Sequence, residues 1–511
     1  MKLRLILSDQ LNSEHSWFTS EPSSDILYVM METRQEAEYV KQHKQKLLGI
    51  LGSMREFADE LREKGHTLKY LYLDEPENEH KLSWNLLQII TENKISSFEY
   101  QEPDEYHTFV ELQQFAESLD IPVNMVSGEH FFADKAEFVR FFAGKKGYLM
   151  EHFYRYMRKK HHILMDDDGE PYGGKWNYDT ENRNRYPDDK PVPAPFVFHH
   201  DLSDIDAMLD KQGIKSMGHV NPKDFIWPLN RKEALMQLKH FIEHLLPDFG
   251  RYQDAMTTRG WTLFHSRLAF SMNRKMINPK EVLKAVVDAY ESKDYGITLP
   301  QVEGYVRQVL GWREFMRGVY WKHMPAYAQK NHFFADAKLP DFYWTGDTKM
   351  NCLRHVITQS LDYGWAHHIQ RLMIPGNFAM LIGVDPDCVD DWFLGMYLDA
   401  VQWAEMPNGR GMSQFADGGI AGTKPYAASA NYINKMSDYC RNCHYNKDKK
   451  LGDDACPFNT LYWHFYQRNR KRLAWIPRTN QIFATWDRFS EDIKTAYIRQ
   501  ADKFLQELYQ Q

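Results

Sequence analysis

The stretch "SDYCRNCHYNKDKKLGDDACPF", residues 437 to 458, gathers Cys440, Cys443 and Cys456 in a chain with five cysteines. A tetrahedral thiolate site takes four ligands, and Cys352 in "KMNCLRH" or Cys388 in "DPDCVDDWF" could supply the fourth. Spacing leaves open a zinc ion, the commoner outcome and one that admits His444 or His355 as a ligand, and a 4Fe-4S cluster. In "SLDYGWAHHIQRLMIPGNF" (360 to 378), helical spacing puts Trp365, His368 and Leu372 on one face and His367 with Arg371 on the next. A histidine that exchanges a proton near neutral pH, beside an arginine that holds an anion, is a plausible site. Alone, such a pattern more often marks hydrogen-bonded core histidines.

Three further segments carry potential chemistry. "LDAVQWAEMPNGRGMSQFADGG" (398 to 419) spaces Asp399 and Glu405 six apart before a Gly-rich loop that could wrap a planar ligand. In "TTRGWTLFHSRLAFSMN" (257 to 273), Ser266, Arg267 and amides near a helix start suit a phosphate or pyrophosphate. "VRQVLGWREFMRGVYW" (306 to 321) sets Trp312 and Arg313 on a helix with Phe315 and Met316. Plain helix contacts and a surface loop are the competing explanation for all three. Basic charge with aromatics concentrates in "YRYMRKKHH" (154 to 162) and "RNRKRLAWIPR" (468 to 478), enough for phosphate contacts. Asp179 and Glu181 could bind a divalent cation such as Mg, although loop carboxylates are usually just solvated.

The elements that must position these residues fall into three parts. Apolar runs at 3–7, 26–31, 68–73, 96–100 and 121–126 alternate with helical patterns. They predict a Rossmann-like parallel α/β domain over residues 1–130. Val40, Leu47, Leu51, Met54, Phe57 and Leu61 mark its crossover helix. "SDQL" follows the first strand where a phosphate-cradling glycine loop would stand, so a ligand of this domain is held another way. Residues 131–229 form a linker with helices, including an Asp-, Gly-, Asn- and Pro-rich loop over 165–200. Residues 230–511 predict a large all-α domain. At 511 residues, 43% hydrophobic and 26% charged, the composition is that of a soluble globular protein. No apolar run approaches the ~18 residues of a membrane span, and Arg4 interrupts the short apolar start, so the expectation is no membrane and a cytoplasmic location. There thiols stay reduced. The net charge of −7 argues against a wholly basic surface and allows local basic patches.

"GWREF", the pattern W-x-H-H-x-x-R and "LDAVQWAEMPN", in an α/β domain, linker and helical domain order, resemble the photolyase and cryptochrome family. The downstream cysteines, "WNYDTENR" and "SDQL" narrow the resemblance to iron-sulfur bacterial cryptochromes and photolyases, the prokaryotic (6-4) branch. It implies a monomer acting on UV-damaged DNA. It implies FAD bound near Tyr252, His265, Ser266, Arg267 and Leu268, with Gln308, Trp312 and Arg313 lining the pocket and Arg371 and Asp399 beside the ring. Glu405 stands where many photolyases have asparagine. His368 would donate a proton to the lesion; Leu372 replaces the second histidine of the eukaryotic enzymes. Trp392, Trp344 and Tyr432 would relay electrons. Cys352, Cys440, Cys443 and Cys456 would hold a 4Fe-4S cluster, leaving Cys388 as a small buried residue. A 6,7-dimethyl-8-ribityllumazine antenna would meet Asp9, Gln10, Glu36, Tyr39 and Ile50. The implied activity is light-driven repair of (6-4) photoproducts by a DNA photolyase. A cryptochrome-like blue-light sensor with the same cofactors is the first alternative. A zinc-stabilised nucleotide- or RNA-binding protein is the second.

Overall fold

The computed structural model describes every residue except Ser20, Lys146 and Gln511. The N-terminal part is a five-stranded, wholly parallel sheet in the order Leu68–Leu71, Ile26–Met31, Lys2–Leu5, Ser97–Gln101, Val123–Val126. Leu3 pairs with both Leu27 and Phe98, so the central strand is covered on both edges. Its side chains alternate between two cores. Leu3, Leu5, Val29 and Phe98 pack with helices Leu82–Glu92 and Tyr106–Glu117 on one face. Ile6, Tyr28 and Met30 on the other face join a core that continues into the helical domain. Parallel strands buried on both faces need such two-sided cover.

The crossover helix Lys44–Glu63 forms this second face. Leu47, Leu51, Met54, Phe57 and Leu61 are buried along it, as the helical spacing requires. Its opposite side meets the helical domain through Gly49. A Cβ there would stand 3.1–3.3 Å from Phe270, Phe225 and Leu398, so a side chain would push the two domains apart. Strand order reverses at Lys2–Leu5, and the crevice beyond the C-terminal ends of these strands is where such sheets bind ligands.

Between His162 and Leu202 only the short turns Tyr172–Gly174 and Asp179–Glu181 are regular. This loop is nonetheless anchored: Arg259 donates to the carbonyls of Asp188 (2.7 Å) and Pro187 (2.6 Å), and the Tyr178 amide donates to Glu303 at 3.0 Å. Helices then run from Arg231–His240 to Glu491–Gln510. Four π-helical segments interrupt them, Phe241–Leu245, Arg307–Arg313, Leu372–Gly376 and Pro407–Ser413. The last three border the residues singled out above, and π-turns of this kind frequently mark functional sites.

Candidate active site

Arg371 closes the one-turn helix His368–Arg371, directly before the π-turn Leu372–Gly376. Its guanidinium is fully committed. Nη2 donates to both oxygens of Asp399 at 2.8 and 2.9 Å, Nη1 to Glu405 at 2.8 Å, and Nε to the Ala366 carbonyl at 2.6 Å. The Tyr397 ring lies beneath it, 3.8 Å from centroid to guanidinium carbon. Burial opposes the charge on Arg371, but Asp399 and Glu405 outweigh burial and hold its pKa above the ordinary value. Burial raises Glu405 to about 6 against the pull of Arg371. The site therefore contains a rigid cation between two carboxylates, one of them poised to take a proton near neutral pH.

His368 is solvent-exposed but has protein packed close around it; burial and then Arg371 lower its pKa to about 4. Behind it the buried rings of His367 and His265 stack at 4.6 Å and 12°. Among the described residues, neither Nε2 of His265 nor Oε1 of Gln253 has a hydrogen-bond partner. Buried polar atoms without partners are rare in native proteins, so this group fits a polar ligand lying against it.

The remaining expected pocket residues surround this centre unevenly. Asn273 donates to the Asp399 carbonyl at 2.8 Å and accepts from Arg313 at 3.3 Å, tying the π-turn Arg307–Arg313 to the backbone of Asp399. Gln308 and Trp312 sit half-buried on the same turn. Tyr252 packs on Phe264 (5.7 Å), Leu268 is fully buried, and Ser266 accepts from the Tyr305 hydroxyl at 3.4 Å. Arg267 bonds the Phe196 carbonyl and lies over Trp261 and Trp227 at 5.0 and 5.4 Å, turned to indoles rather than to an open anion site.

An aromatic path leads outward from Arg371. Tyr397 is 5.8 Å from buried Trp392, and Trp392 is 5.3 Å from Tyr343. Trp344, the next residue, is 38% exposed. Tyr432 stands elsewhere, beside Asp254, Arg183 and Tyr426.

Cys352, Cys440, Cys443 and Cys456 line one small cavity closed by Met350, Ile433, Tyr439, Tyr445 and Phe458. Cys352 opens the helix Asn351–Tyr363, and Cys456 caps the helix Pro457–Arg468. Burial pushes Cys440 to about 11 and Cys456 to about 12, with neighbouring thiols adding to the shift. Cys388 lies apart, near Asp385 and Asp391.

A cavity of about 1020 Å³ including its mouth opens in the crevice beyond the strand ends and is lined by Ser8, Asp9, Glu36, Tyr39, Ile50 and Arg274 among others. Tyr39 stacks on His107 at 4.5 Å, and burial raises Asp9 to about 6. Gln10 does not line it: it accepts from the Leu7 amide (3.0 Å) and donates to the Gln101 carbonyl (3.3 Å), shaping the turn instead.

Residues 4–225 match the family model described as deoxyribodipyrimidine photo-lyase-related protein. A (6-4) photolyase of Agrobacterium fabrum is 42% identical, over 99% of this chain and 99% of its own. The chain belongs to the bacterial (6-4) photolyase branch of the photolyase and cryptochrome family. Solved photolyases share its fold. A bacterial class III photolyase from Agrobacterium tumefaciens superposes with a TM-score of 0.56 at 15% identity, covering 83% of this chain and 81% of that one. An archaeal photolyase from Sulfolobus tokodaii, solved with two FAD molecules, gives 0.52 at 12% identity over 100% of both chains.

For a photolyase-type site, the sequence reasoning missed the supports more than the centre. Tyr397 lies two residues before Asp399, one position ahead of the quoted motif, and nothing local shows that Arg371 rests on it. Lys46 and Asn273 reach the site from other segments. Lys46 is 4% exposed and donates to the carbonyls of Leu394 (2.7 Å) and Ala400 (2.9 Å), on either side of Tyr397 and Asp399. An amphipathic period identifies the helix of Lys46, not the destination of one inward lysine.

Proposed function

We propose that this chain is a light-driven DNA repair enzyme that returns (6-4) pyrimidine-pyrimidone photoproducts to the parent bases. The observation that carries this reading is solvent-exposed His368 beside an arginine fixed by Asp399 and Glu405. End-to-end similarity to a protein named (6-4) photolyase supports the same lesion.

FAD is the cofactor these groups suit: the Asp399 and Glu405 carboxylates held by Arg371 on one side, and the partnerless His265 Nε2 and Gln253 Oε1 on the other. Bound and reduced, it would supply a photoexcited one-electron donor. The protein's own work is to hold the flipped lesion over His368, pass it a proton from the imidazole, and keep Arg371 immobile. Glu405 can exchange a proton beside the ring because burial brings it into the neutral range. Trp392 and Trp344 would carry electrons inward from solvent, with Tyr397 and Tyr343 between them and Arg371.

For the four cysteines the reading is a 4Fe-4S cluster, supported by four thiols that line one cavity, one thiolate for each iron. Four thiolates also suit zinc, and metal analysis of the purified protein separates the two. The cavity at the strand ends suits a polar heteroaromatic antenna such as 6,7-dimethyl-8-ribityllumazine, with stacking surface at Tyr39 and acceptors at Asp9 and Glu36. A divalent cation at Asp179 and Glu181 would have to displace Arg183 and Arg307, which pair with Asp179. One chain supplies every group named, so a monomer suffices. All five cysteines are free, in keeping with a cytoplasmic location, and no helix of the described residues is long and apolar enough to cross a membrane.

The test is to illuminate purified protein with an oligonucleotide carrying a (6-4) lesion and, separately, a cyclobutane dimer. Repair of the first is expected, and its loss in His368→Ala. Failure on both with flavin bound would favour the blue-light sensor.

A further inference from the structure

A second cavity, of about 550 Å³, opens on the helical domain between residues 331–337, the end of helix Asn377–Ile382 and helix Pro457–Arg468. None of the residues assigned above to the flavin or the cysteines lines it. Its walls carry apolar Phe333, Met380, Ile382, Val384 and Pro386 together with polar Asn331, Asp336 and Gln414, and one cation, Arg468, reaches in from the side. Among the described residues the Arg468 guanidinium makes one hydrogen bond, to the Leu381 carbonyl at 3.3 Å, and has no carboxylate within 4.0 Å. Its surroundings lower its pKa through burial, with Asp336 acting in the opposite direction. Gly383, at φ +84, lets the guanidinium lie against the backbone: a Cβ there would stand 3.1–3.4 Å from it.

The rim is as unusual as the floor. Phe334 is 73% exposed and held at φ 53, a conformation a bulky residue rarely adopts. Arg472 lies over its ring at 4.7 Å and likewise has no carboxylate within 4.0 Å among the described residues. An apolar cleft, a presented aromatic face and two arginines without acidic partners are complementary to a flat ring that carries a phosphate. A neutral apolar ligand would leave both guanidinium groups unused.

We propose that this cavity is a nucleotide site separate from the flavin centre, taking the base against Phe334 and the apolar wall and the phosphate on Arg468 and Arg472. The nucleoside phosphate has two possible sources, a free mononucleotide or one unit of a DNA strand running across the helical domain. The site goes beyond the repair reading and is read out by binding, so repair can fail with the site intact and the reverse.

The experiment is calorimetric titration of the full-length holoprotein with thymidine 5′-monophosphate and, separately, with hexathymidylate at low salt. Wild type, Arg468→Gln and Phe334→Ala are compared. Saturable binding is expected, weakened about tenfold or more by Arg468→Gln and about fivefold or more by Phe334→Ala, with the visible spectrum unchanged. Phe334 is exposed, so its variant reports even if Arg468→Gln folds poorly. Binding of the mononucleotide assigns the free ligand, and binding of the hexamer alone assigns the strand; either supports the site when the substitutions weaken it. Binding that both variants leave unchanged, or no binding of either probe, overturns it.

Discussion

At neutral pH the His368 imidazole is uncharged, because burial and Arg371 lower its pKa to about 4. To donate a proton readily it needs an anion nearby, and a bound phosphodiester supplies one. The pH profile of repair under saturating lesion should therefore show an alkaline limb whose apparent pKa lies well above 4, absent in His368→Ala. A limb that stays near 4 would remove His368 as the donor. Glu405 titrates in the opposite part of the cycle: its folded pKa of about 6 means that protonation grows as pH falls through 6. Glu405→Gln cannot ionise, so the rate of flavin photoreduction, followed by absorbance, should lose its pH dependence between about 5 and 7. For the thiols, Cys352→Ser should lose bound iron and Cys388→Ser retain it, as measured by metal analysis. These residues were legible because their types are chemically scarce and their spacing is short. Glu405 could be located by its six-residue offset from Asp399, whereas its pKa depends on burial and on an arginine 34 positions earlier.

Helix Lys44–Glu63 joins the sheet to the catalytic domain, and Lys46 crosses beside Gln45, which donates to the Asp362 carbonyl at 2.6 Å. Its ammonium holds two carbonyls flanking Asp399 without any carboxylate within 4.0 Å among the described residues, and burial lowers its pKa to about 8. Lys46→Met keeps most of the stem and removes both bonds. It should cost about 2–4 kcal/mol of stability and lower flavin occupancy, because two buried carbonyls lose their donor; thermal unfolding and the ratio of visible to protein absorbance measure both. A second tie runs from the cysteine ring. Gln370 donates to the Tyr439 hydroxyl at 3.0 Å, beside Cys440, and accepts from the His367 amide at 3.2 Å. The sheet was readable from short apolar runs and this helix from three-to-four-residue spacing, since strands covered on both faces are apolar throughout and a helix buries one side. The π-turns were not: they arise from packing around Arg307–Arg313 and Pro407–Ser413, and no local propensity marks them.

A molecule of net charge −7 binds DNA only where its positive charge is concentrated and left free. The two basic stretches were legible from composition, but composition does not distinguish a solvated cation from a spent one. In the first, Arg158 is buried and bonds the carbonyls of Ile163, Leu164 and Trp176, Lys160 pairs with Glu137 at 2.5 Å, and Arg155 pairs with Glu151. In the second, Asp487 engages only Arg470. Lys471 and Arg478 stay exposed, Trp475 is 60% exposed beside them, and Arg478 adds to a positive field with Lys424 and Arg183. The field of the whole protein should therefore steer DNA to the second stretch. Arg478→Gln should weaken binding of lesion-containing duplex about three- to tenfold and reduce the slope of log affinity against log salt by about 0.9. Arg158→Met should leave that slope unchanged and lower stability by about 3 kcal/mol instead, from carbonyls that lose their donor. Fluorescence anisotropy across a salt series, paired with thermal unfolding, separates the two. A slope that falls equally in both variants would mean that Arg158 faces DNA despite its burial.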